Sequence, residues 1–160
     1  MAHVMHIETE RKFLVHDSSF KALAIKSYRI KQGYIAHDGG NTVRVRIRDN
    51  QGFLTIKGPS MDGISRFEWE KEIPLSEAEE LFLLCRGGAI DKTRFIVPEE
   101  GGKFFEVDEF YGDNEGLVMA EIELSSPEEH FNRPEWLGEE VTGDRRYYNS
   151  HLLSHPYKSW

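Results

Sequence analysis

Charged side chains recur at every second residue along several short segments of this chain. These segments contain Glu8, Glu10 and Lys12; Arg44, Arg46 and Arg48; Lys57; Arg66, Glu68, Glu70 and Glu72; Lys92 and Arg94; Glu106 and Asp108; and Glu121 and Glu123. Arginine binds phosphate oxygens through two parallel hydrogen bonds, and lysine binds them as a point charge. Paired carboxylates are ligands for hard divalent cations such as Mg²⁺ or Mn²⁺. A site that combined both groups would suit a polyphosphate with its bound metal.

The spacing of these charges predicts where they point. Side chains at positions i and i+2 of a β-strand share one face, so the arginines of segment 42–48 lie opposite Val43, Val45 and Ile47. A charged strand face is most often a solvated one. Here the charged faces contain few neutral polar residues, and charges of one sign follow one another along single strands, which nothing in sheet stability favours. We therefore expect these faces to line an enclosed site.

Turn signals divide the chain into eight strand-like segments. They cover residues 4–15, 27–37, 42–48, 53–57, 64–73, 89–97, 103–111 and 117–125. The connections between them look like hairpins, which favour an antiparallel sheet. Eight antiparallel strands are enough to close a barrel, with an interior just wide enough for side chains to fill. The predicted fold is α+β: an eight-stranded antiparallel closed β-barrel with flanking helices, whose charged faces line a tunnel.

Short helices are predicted beside these strands. Their start signals are, in chain order, Asp17 or Ser18, a capping box at Ser76 and Glu79, a second capping box at Ser126 and Glu129, and Asp144. The first helix would lie within residues 17–26, and the last would continue to about residue 153. Burying acids and bases in the tunnel between these elements costs desolvation unless they pair or bind ions, so a charged tunnel is itself a functional hypothesis.

Length, charge and composition exclude several classes of protein. A chain of 160 residues is one domain by the usual length prior, here residues 1–160, and its first four residues are interpreted as an addition before a native Met5. The net charge of −8 argues against a nonspecific nucleic-acid binder. The single cysteine, Cys85, excludes an intramolecular disulfide framework and a Cys-rich zinc site. Without a long apolar run or a signal-peptide core, we expect a cytoplasmic protein with no membrane partner.

The charged segments occur in an order that resembles the CYTH superfamily, the triphosphate tunnel metalloenzymes, and above all its short bacterial members. The first segment is the ExExK signature, ETERK at residues 8–12. It is followed by TVRVRIR, LTIKG, SRFEWE, KTRF, FEVDEF, AEIEL and EVTGDRRYYNS. The resemblance runs from Met5 to about Leu153. It implies an eight-stranded tunnel barrel and metal-dependent hydrolysis or transfer at a linear triphosphate.

The resemblance also implies a role for each matching residue. The metal ligands would be Glu8, Glu10, Asp108, Glu121 and Glu123, holding Mg²⁺ or Mn²⁺, as two ions. The phosphates would be bound by Lys12, Arg44, Arg46, Lys57, Arg66, Lys92, Arg94 and Arg146. The catalytic set would be Lys92, with Glu68 or Glu70 orienting water, and Tyr34. Tyr34 either packs in the barrel wall or reaches Lys92 with its hydroxyl and narrows the tunnel against a nucleoside. Arg48, Glu72 and Glu106 lie nearer strand ends and receive no direct role.

Several functions share these implied residues. The preferred one is hydrolysis of inorganic tripolyphosphate to pyrophosphate and phosphate. An adenylate cyclase like the class IV bacterial enzymes and a thiamine triphosphatase would use the same tunnel, so the motifs do not choose among them. A non-catalytic module that binds polyphosphate or nucleotide would need the bases but not the carboxylates, and the nearly complete acid set argues against it. The expected partner is a small-molecule triphosphate; a homodimer is compatible with a small barrel, although no motif predicts it.

Overall fold

The computed structural model describes residues 6–160, so the interpretation of residues 1–4 concerns residues outside the described range. Within that range there are nine strands: β1 (Ile7–Val15), β2 (Lys26–Asp38), β3 (Asn41–Arg48), β4 (Gln51–Ser60), β5 (Ser65–Ile73), β6 (Ile90–Pro98), β7 (Phe104–Phe110), β8 (Val118–Glu123) and β9 (Leu137–Glu140). The helices are α1 (Phe20–Leu23), α2 (Leu75–Leu81) and α3 (Asn149–Ser154). Single 3₁₀ turns lie at Phe82–Leu84, Gly112–Asn114, Arg145–Tyr147 and Tyr157–Ser159.

The first eight strands close into a barrel. Their order in the sheet is β5-β4-β3-β2-β6-β7-β8-β1, and β1 also pairs with β5, which joins the two edges. In β1, Ile7 to Thr9 pair with β5 on one side, and Glu10 to Leu14 pair with β8 on the other. All neighbouring strands run antiparallel. The predicted eight-stranded antiparallel closed barrel is therefore confirmed.

The ninth strand lies outside this closed ring and was not predicted. β9 pairs with the end of β1, through Phe13 with Glu140 and Val15 with Leu137, beyond the point where β5 ends. Its sequence is only LGEE and has no clear alternation of apolar and polar residues. Its strand conformation depends on the free edge that β1 offers, which the local sequence does not encode.

One apolar core covers the outer face of β1, β6, β7 and β8. Its buried members include Phe13, Phe20, Val97, Phe105, Val107, Ala120, Ile122, Phe131 and Trp136. The ring of Trp136 packs edge-on against Phe105 with centroids 5.2 Å apart, so the loop after β8 covers the barrel wall. Burying each of these large side chains contributes roughly 1.5–3 kcal/mol to folding. This outer core leaves the opposite face of the same strands free to carry charge.

A second apolar core fills one end of the barrel interior. Across the strands, Phe110 pairs with Lys92 and Met119 pairs with Asp108, and paired residues share a face of the sheet. These apolar side chains pack with Tyr147 and Leu152 of the C-terminal segment. The inner face is therefore charged along most of the barrel but apolar at this end, where α3 covers it.

Three of the four helix predictions are confirmed in position and corrected in detail. α1 is shorter than predicted, and α2 begins at Leu75 with no side-chain capping hydrogen bond, so the box at Ser76 does not form. α2 lies against β4 at Gly52, where an added Cβ would stand 2.7 Å from the Cβ of Ala78. In the last helix, Asp144 accepts a hydrogen bond from the backbone N–H of Arg146, as a cap should. That helix is divided into the 3₁₀ turn and α3.

The helix predicted from the second capping box is wrong. Residues 126–129 form a turn, and no helix follows before β9 in the described chain. The carboxylate of Glu129 does accept a hydrogen bond from an upstream backbone N–H, that of Ser125 at 2.6 Å, but it also pairs with Lys103 at 2.8 Å. The acid therefore fastens the turn to the barrel instead of starting a helix.

Over residues 6–160, none of the helices combines the length and the apolar character needed to span a membrane.

Candidate functional site

A cavity of about 1170 Å³ runs through the barrel. It extends from Tyr28 and Phe104 at one end to His37, Pro59 and Arg145 at the other. Fourteen of the sixteen predicted site residues line it: Glu8, Glu10, Lys12, Tyr34, Arg44, Arg46, Lys57, Arg66, Glu68, Glu70, Lys92, Arg94, Glu121 and Glu123. Asp108 and Arg146 do not line it. The structure thus brings residues from seven strands into one tunnel.

Strand register explains how the tunnel is built. Arg44 on β3 pairs with Thr55 on β4, which pairs with Glu70 on β5. One row further along, Lys57 pairs with Glu68. Because cross-strand partners share a face, the period-two pattern of each strand becomes rows of charged and polar side chains around the wall.

Lys57 lies between two carboxylates on different strands. Its Nζ is 3.0 Å from Glu8 Oε1 and 3.1 Å from Glu68 Oε2. Burial disfavours the charge on this amine, but Glu10 and Glu8 together raise the pKa of Lys57. Arg66 Nε lies 4.0 Å from the same Glu8 oxygen. The amine of Lys57 therefore keeps its positive charge in the tunnel at neutral pH.

Glu10 and Glu121 form a pair of facing carboxyl groups. Burial first, and then the charge of Glu121, raise the pKa of Glu10 well above its usual range. For Glu121 the bases Lys12 and Arg94 outweigh burial and hold its pKa well below the usual range. Of the two carboxyl groups, Glu10 is therefore the one that holds a proton more readily. Glu8 stands in a similar relation to Glu68, since burial and Glu68 raise the pKa of Glu8.

The carboxylate pairs fit a hydrated divalent cation. Among residues 6–160, no three His, Cys, Asp or Glu side chains converge closely enough to hold a metal without other ligands. Mg²⁺ keeps several waters and is usually held by one or two carboxylates together with substrate phosphates. A cation between Glu10 and Glu121 would take the place of the proton on Glu10. The donor set of Glu8, Glu10, Glu121 and Glu123 is therefore suited to Mg²⁺ or Mn²⁺ completed by water and substrate oxygens.

Asp108, predicted as a metal ligand, contacts two bases instead of the tunnel, so that role stays a prediction. Its Oδ2 lies 2.7 Å from Lys92 Nζ and 2.9 Å from Arg94 Nη2, and its Oδ1 accepts from Arg94 Nε at 2.8 Å. Burial opposes its charge, yet Arg94 and Lys92 lower the pKa of Asp108. Both oxygens accept hydrogen bonds from these bases, and Asp108 is not among the residues that line the cavity. In this arrangement Asp108 orients two bases from behind the tunnel lining.

Lys92 is the deepest base of the tunnel, with 1% of its surface exposed. Burial lowers its pKa to about 7; Asp108 opposes that shift, and Arg94 and Arg46 add to it. The apolar inner end of the barrel explains this burial, because the ring of Phe110 lies 5.5 Å from Nζ. An amine with this pKa gains its full charge when an anion binds beside it.

Two arginines are placed to bind an anion. Burial, followed by repulsion from Arg44 and Arg94, lowers the pKa of Arg46 to about 9, so the guanidinium is still charged at neutral pH. Arg44 donates through Nη2 to Thr55 at 3.1 Å and Glu70 at 3.3 Å. Its Nε is buried and has no hydrogen-bond partner among the described residues. Leaving a charged donor unsatisfied is costly, and an anionic oxygen in the tunnel would satisfy it.

Glu70 remains ionised at the tunnel wall. Its Oε2 accepts a hydrogen bond from Thr55 at 2.7 Å. Burial acts to raise its pKa, but that hydrogen bond and the charge of Arg44 lower the pKa of Glu70 overall. The side chain is about one-third exposed to the cavity. It can accept a hydrogen bond from a water molecule there.

Tyr34 lines the tunnel. Its hydroxyl does not contact Lys92, so the interpretation in which it reaches that lysine does not describe this structure. Its hydroxyl accepts a hydrogen bond from Gln32 Nε2 at 3.2 Å. Lys92 Nζ instead donates to Asn149 Oδ1 at 2.9 Å. Sequence reasoning missed both amides. Gln32 could have been found, because it lies two residues from Tyr34 on the same strand face, whereas nothing in the sequence around Asn149 indicates that it reaches the tunnel.

The structure places Arg146 outside the tunnel. Its side chain is 62% exposed, pairs with Asp144 at 2.7 Å and lies over the ring of Trp160. The neighbouring Arg145 lines the cavity instead. The 3₁₀ turn explains the exchange, because consecutive residues of such a turn point in different directions. The predicted phosphate contact of Arg146 is therefore corrected.

Comparison with known proteins agrees with this arrangement. The family model described as CYTH domain matches residues 6–149. The chain is 49% identical over 154 residues to an inorganic triphosphatase of Acetivibrio thermocellus, covering 96% of this chain and 97% of that protein. It is 35% identical over 148 residues to an inorganic triphosphatase of Nitrosomonas europaea, covering 91% and 95%.

A solved structure shares the same architecture. The crystal structure of the inorganic triphosphatase NE1496 superposes with a TM-score of 0.63 at 31% sequence identity. The match covers 91% of this chain and 97% of that one. The similarity therefore spans most of both chains.

Proposed function

Because this chain belongs to the CYTH domain family, we propose that it is a metal-dependent triphosphatase whose substrate is inorganic tripolyphosphate. The observation that carries the proposal is that one closed tunnel contains both the phosphate-binding bases and the paired carboxylates. A protein that only bound phosphate would need the bases alone. The products are orthophosphate and pyrophosphate.

The bases bind the linear substrate along the tunnel. Arg44, Arg46 and Arg94 offer guanidinium forks, and Lys12, Lys57 and Lys92 offer ammonium groups. They come from different strands, so together they surround an extended anion.

Glu8, Glu10, Glu121 and Glu123 would hold Mg²⁺ or Mn²⁺, and we propose two ions. Bound there, the metal would neutralise phosphate oxygens and favour water as a nucleophile. Two ions are consistent with two separate carboxylate pairs in the tunnel, Glu10 with Glu121 and Glu8 with Glu68.

Catalysis by the chain itself is electrostatic. When water attacks the terminal phosphorus, the bond to the bridging oxygen breaks, and negative charge develops on that oxygen as pyrophosphate leaves. Lys92 and Arg94, both buried and held by Asp108, stabilise this charge without having to reorganise. Glu70, or Glu68 beside it, accepts a hydrogen bond from the attacking water and orients it. Tyr34 narrows the tunnel beside these groups, which favours a small inorganic substrate over a nucleotide.

The proposal is tested by measuring phosphate release from tripolyphosphate, ATP and thiamine triphosphate in parallel, with Mg²⁺ or Mn²⁺ and with EDTA. Cyclic AMP is assayed in the ATP reaction. We expect metal-dependent release mainly from tripolyphosphate. Cyclic AMP without orthophosphate would identify a cyclase, and release mainly from thiamine triphosphate would identify that substrate.

A variant prepared in the same way distinguishes turnover by this chain from turnover by a contaminating phosphatase. Lys92→Ala should lower turnover of tripolyphosphate tenfold or more, the order expected for one lost transition-state contact. Lack of turnover on every substrate, with tripolyphosphate still bound, would favour the non-catalytic binding module. Cytoplasmic location and a homodimer stay predictions, which fractionation and sedimentation would check.

A further inference from the structure

Two amides, the buried Gln32 and the half-buried Asn149, connect phosphate-binding bases on β3 and β6, the two strands that flank β2. Gln32 Oε1 accepts a hydrogen bond from Arg46 Nε at 2.9 Å, and Gln32 Nε2 donates to Asn149 Oδ1 at 3.1 Å. The same Asn149 oxygen accepts from Lys92 Nζ at 2.9 Å. Gln32 is only 1% exposed. The result is a continuous chain from Arg46 through two amides to Lys92.

The chemistry of the partners fixes the orientation of both amides. Arg46 and Lys92 can only donate, so each must face an amide oxygen. With its oxygen turned to Arg46, Gln32 presents its NH₂ group to Asn149, which in turn presents its oxygen. No other orientation of the two amides satisfies all three contacts.

This chain limits the freedom of Lys92. An ammonium group has three donors. Asp108 takes one at 2.7 Å, and Asn149 takes a second at 2.9 Å. Lys92 also lines the cavity, so its third hydrogen is left for an anion there. Without Asn149, the amine could rotate about its last bond, and two of its hydrogens would compete for the substrate position.

Asn149 belongs to the C-terminal segment and not to the barrel. It is the first residue of α3, just after the 3₁₀ turn, and Lys12 Nζ donates to the backbone oxygen of Tyr147 in that turn at 3.1 Å. Leu152 anchors the same helix in the inner apolar core with none of its surface exposed. Two tunnel lysines, Lys12 and Lys92, are therefore held by one docked segment.

We propose that Asn149, supported by Gln32, is a positioning residue that aims the third N–H of Lys92 at the substrate. It acts through Lys92 and does not contact phosphate. The inference rests on the proposed triphosphatase function. It assigns to the C-terminal segment a direct part in the geometry of the tunnel, beyond closing the end of the barrel.

A double-mutant cycle tests the inference on the full chain. Asn149→Leu keeps the branched four-atom framework of the side chain, with somewhat more bulk, and removes the acceptor; Lys92→Ala removes the amine. In the wild-type background we expect Asn149→Leu to lower kcat/KM for tripolyphosphate about tenfold, the scale on which misplacement of a catalytic group acts. In the Lys92→Ala background the same change should cost less than about twofold, because residues that act together are not additive.

The cycle has a second readout, so that it can be completed if Lys92→Ala is too slow to measure. The Kd of tripolyphosphate is measured by calorimetry in EDTA, where no turnover occurs, and should show the same non-additivity. Asn149→Ala repeats the test with less bulk if the leucine variant does not fold. Ser154→Ala lies in the same helix, where the hydroxyl contacts only the backbone oxygen of His151 and the ring of His155 among the described residues; it is the matched control and should change neither constant.

Additive effects of Asn149→Leu and Lys92→Ala, or wild-type constants in Asn149→Leu, would overturn the inference. Either result leaves the proposed function intact, provided that the wild-type chain hydrolyses tripolyphosphate. If the wild type binds tripolyphosphate without hydrolysing it, the proposed function fails, whereas the calorimetric cycle still decides the role of Asn149.

Discussion

The Nζ of Lys92 lies 2.7 Å from Oδ2 of Asp108, in a pair of which at most 3% of either side chain is exposed. Asp108 also holds Arg94, so one carboxylate balances two bases that face the tunnel. A buried charge is tolerated when it is paired and hydrogen-bonded. The acid behind the lining therefore allows two desolvated bases to be held in a fixed orientation at the tunnel wall.

Replacing this acid should affect stability and turnover but not metal affinity. Asp108→Asn keeps the shape of the side chain, leaves Lys92 without this counter-ion and leaves Arg94 with Glu106 alone. Breaking a buried pair in this way costs about 3–5 kcal/mol of unfolding free energy. We expect that loss in urea unfolding, together with a fall in kcat of tenfold or more. The Mg²⁺ concentration for half-maximal activity should not change.

The metal titration distinguishes this view from the role predicted by the sequence. A metal ligand at position 108 would raise the Mg²⁺ requirement of Asp108→Asn strongly while leaving its urea midpoint close to that of the wild type. That pattern would restore Asp108 to the metal site.

Replacing acids of the carboxylate pairs should affect metal-dependent turnover more than substrate binding. Glu8→Gln combined with Glu10→Gln removes one acid from each pair and should lower Mg²⁺-dependent turnover about 100-fold or more, because the cation loses its protein ligands. Tripolyphosphate should still bind in EDTA, since the bases are intact. Calorimetry and phosphate release measure the two effects on the same sample.

Glu72→Gln is a suitable control for that variant. Glu72 lies on the same strand face as Glu68 and Glu70 but at the strand end, where it accepts a hydrogen bond from Gln51 at 3.0 Å. It should have wild-type turnover. Full activity in the Glu8/Glu10 double variant would refute the assignment of the metal ligands.

Metal binding should strengthen as the pH rises. Burial and Glu121 raise the pKa of Glu10, so in the metal-free protein Glu10 holds a proton at pH values where an ordinary carboxyl is already ionised. A cation at this pair must displace that proton, and raising the pH removes the competitor. The Kd of Mn²⁺, measured without substrate between about pH 5 and 8, should fall with rising pH, by up to about tenfold per unit where one proton is released.

Direct Mn²⁺ binding is the better measurement because the burial of Lys92 lowers its pKa to about 7, which affects kinetics in the same range. Glu10→Gln has no proton to displace, so its weaker binding should vary less with pH. A Kd for the wild type that is constant over the range would contradict the raised pKa of Glu10.

Much of the tunnel could be predicted from the sequence because strand periodicity is a local property. In β3 and β5 the alternation of charged and apolar residues decides which side chains face inward, and the structure confirms those faces. The closed eight-stranded barrel followed from the strand count and the resemblance. Strand register then brings Arg44 and Glu70 together across β4.

What could not be predicted depends on contacts between distant segments. Asp108 lies on the inner face of its strand, as predicted. Its cross-strand partner Met119 belongs to the apolar core at that end of the interior, and Asp108 there contacts bases and does not line the tunnel. Asn149 enters the site only because Leu152 anchors α3 in the same core. β9 needs the free edge of β1, and the turn at Ser126 is fastened by Lys103.

Two adjacent arginines of the C-terminal segment provide the last prediction. Arg146 is paired with Asp144 and stacked on Trp160 away from the cavity, whereas Arg145 lines the mouth next to α3. Arg146→Ala should therefore leave kcat and KM for tripolyphosphate within about twofold of wild type, as expected for an exposed ion pair, and lower the Tm slightly.

Arg145→Ala should raise KM without changing kcat, because a cation at the entrance attracts the substrate but does not touch the reacting bond. That increase should shrink as salt screens the mouth, so KM is compared for both variants at low and high ionic strength. A collapse of turnover in Arg146→Ala similar to that of Lys92→Ala would return Arg146 to the phosphate site.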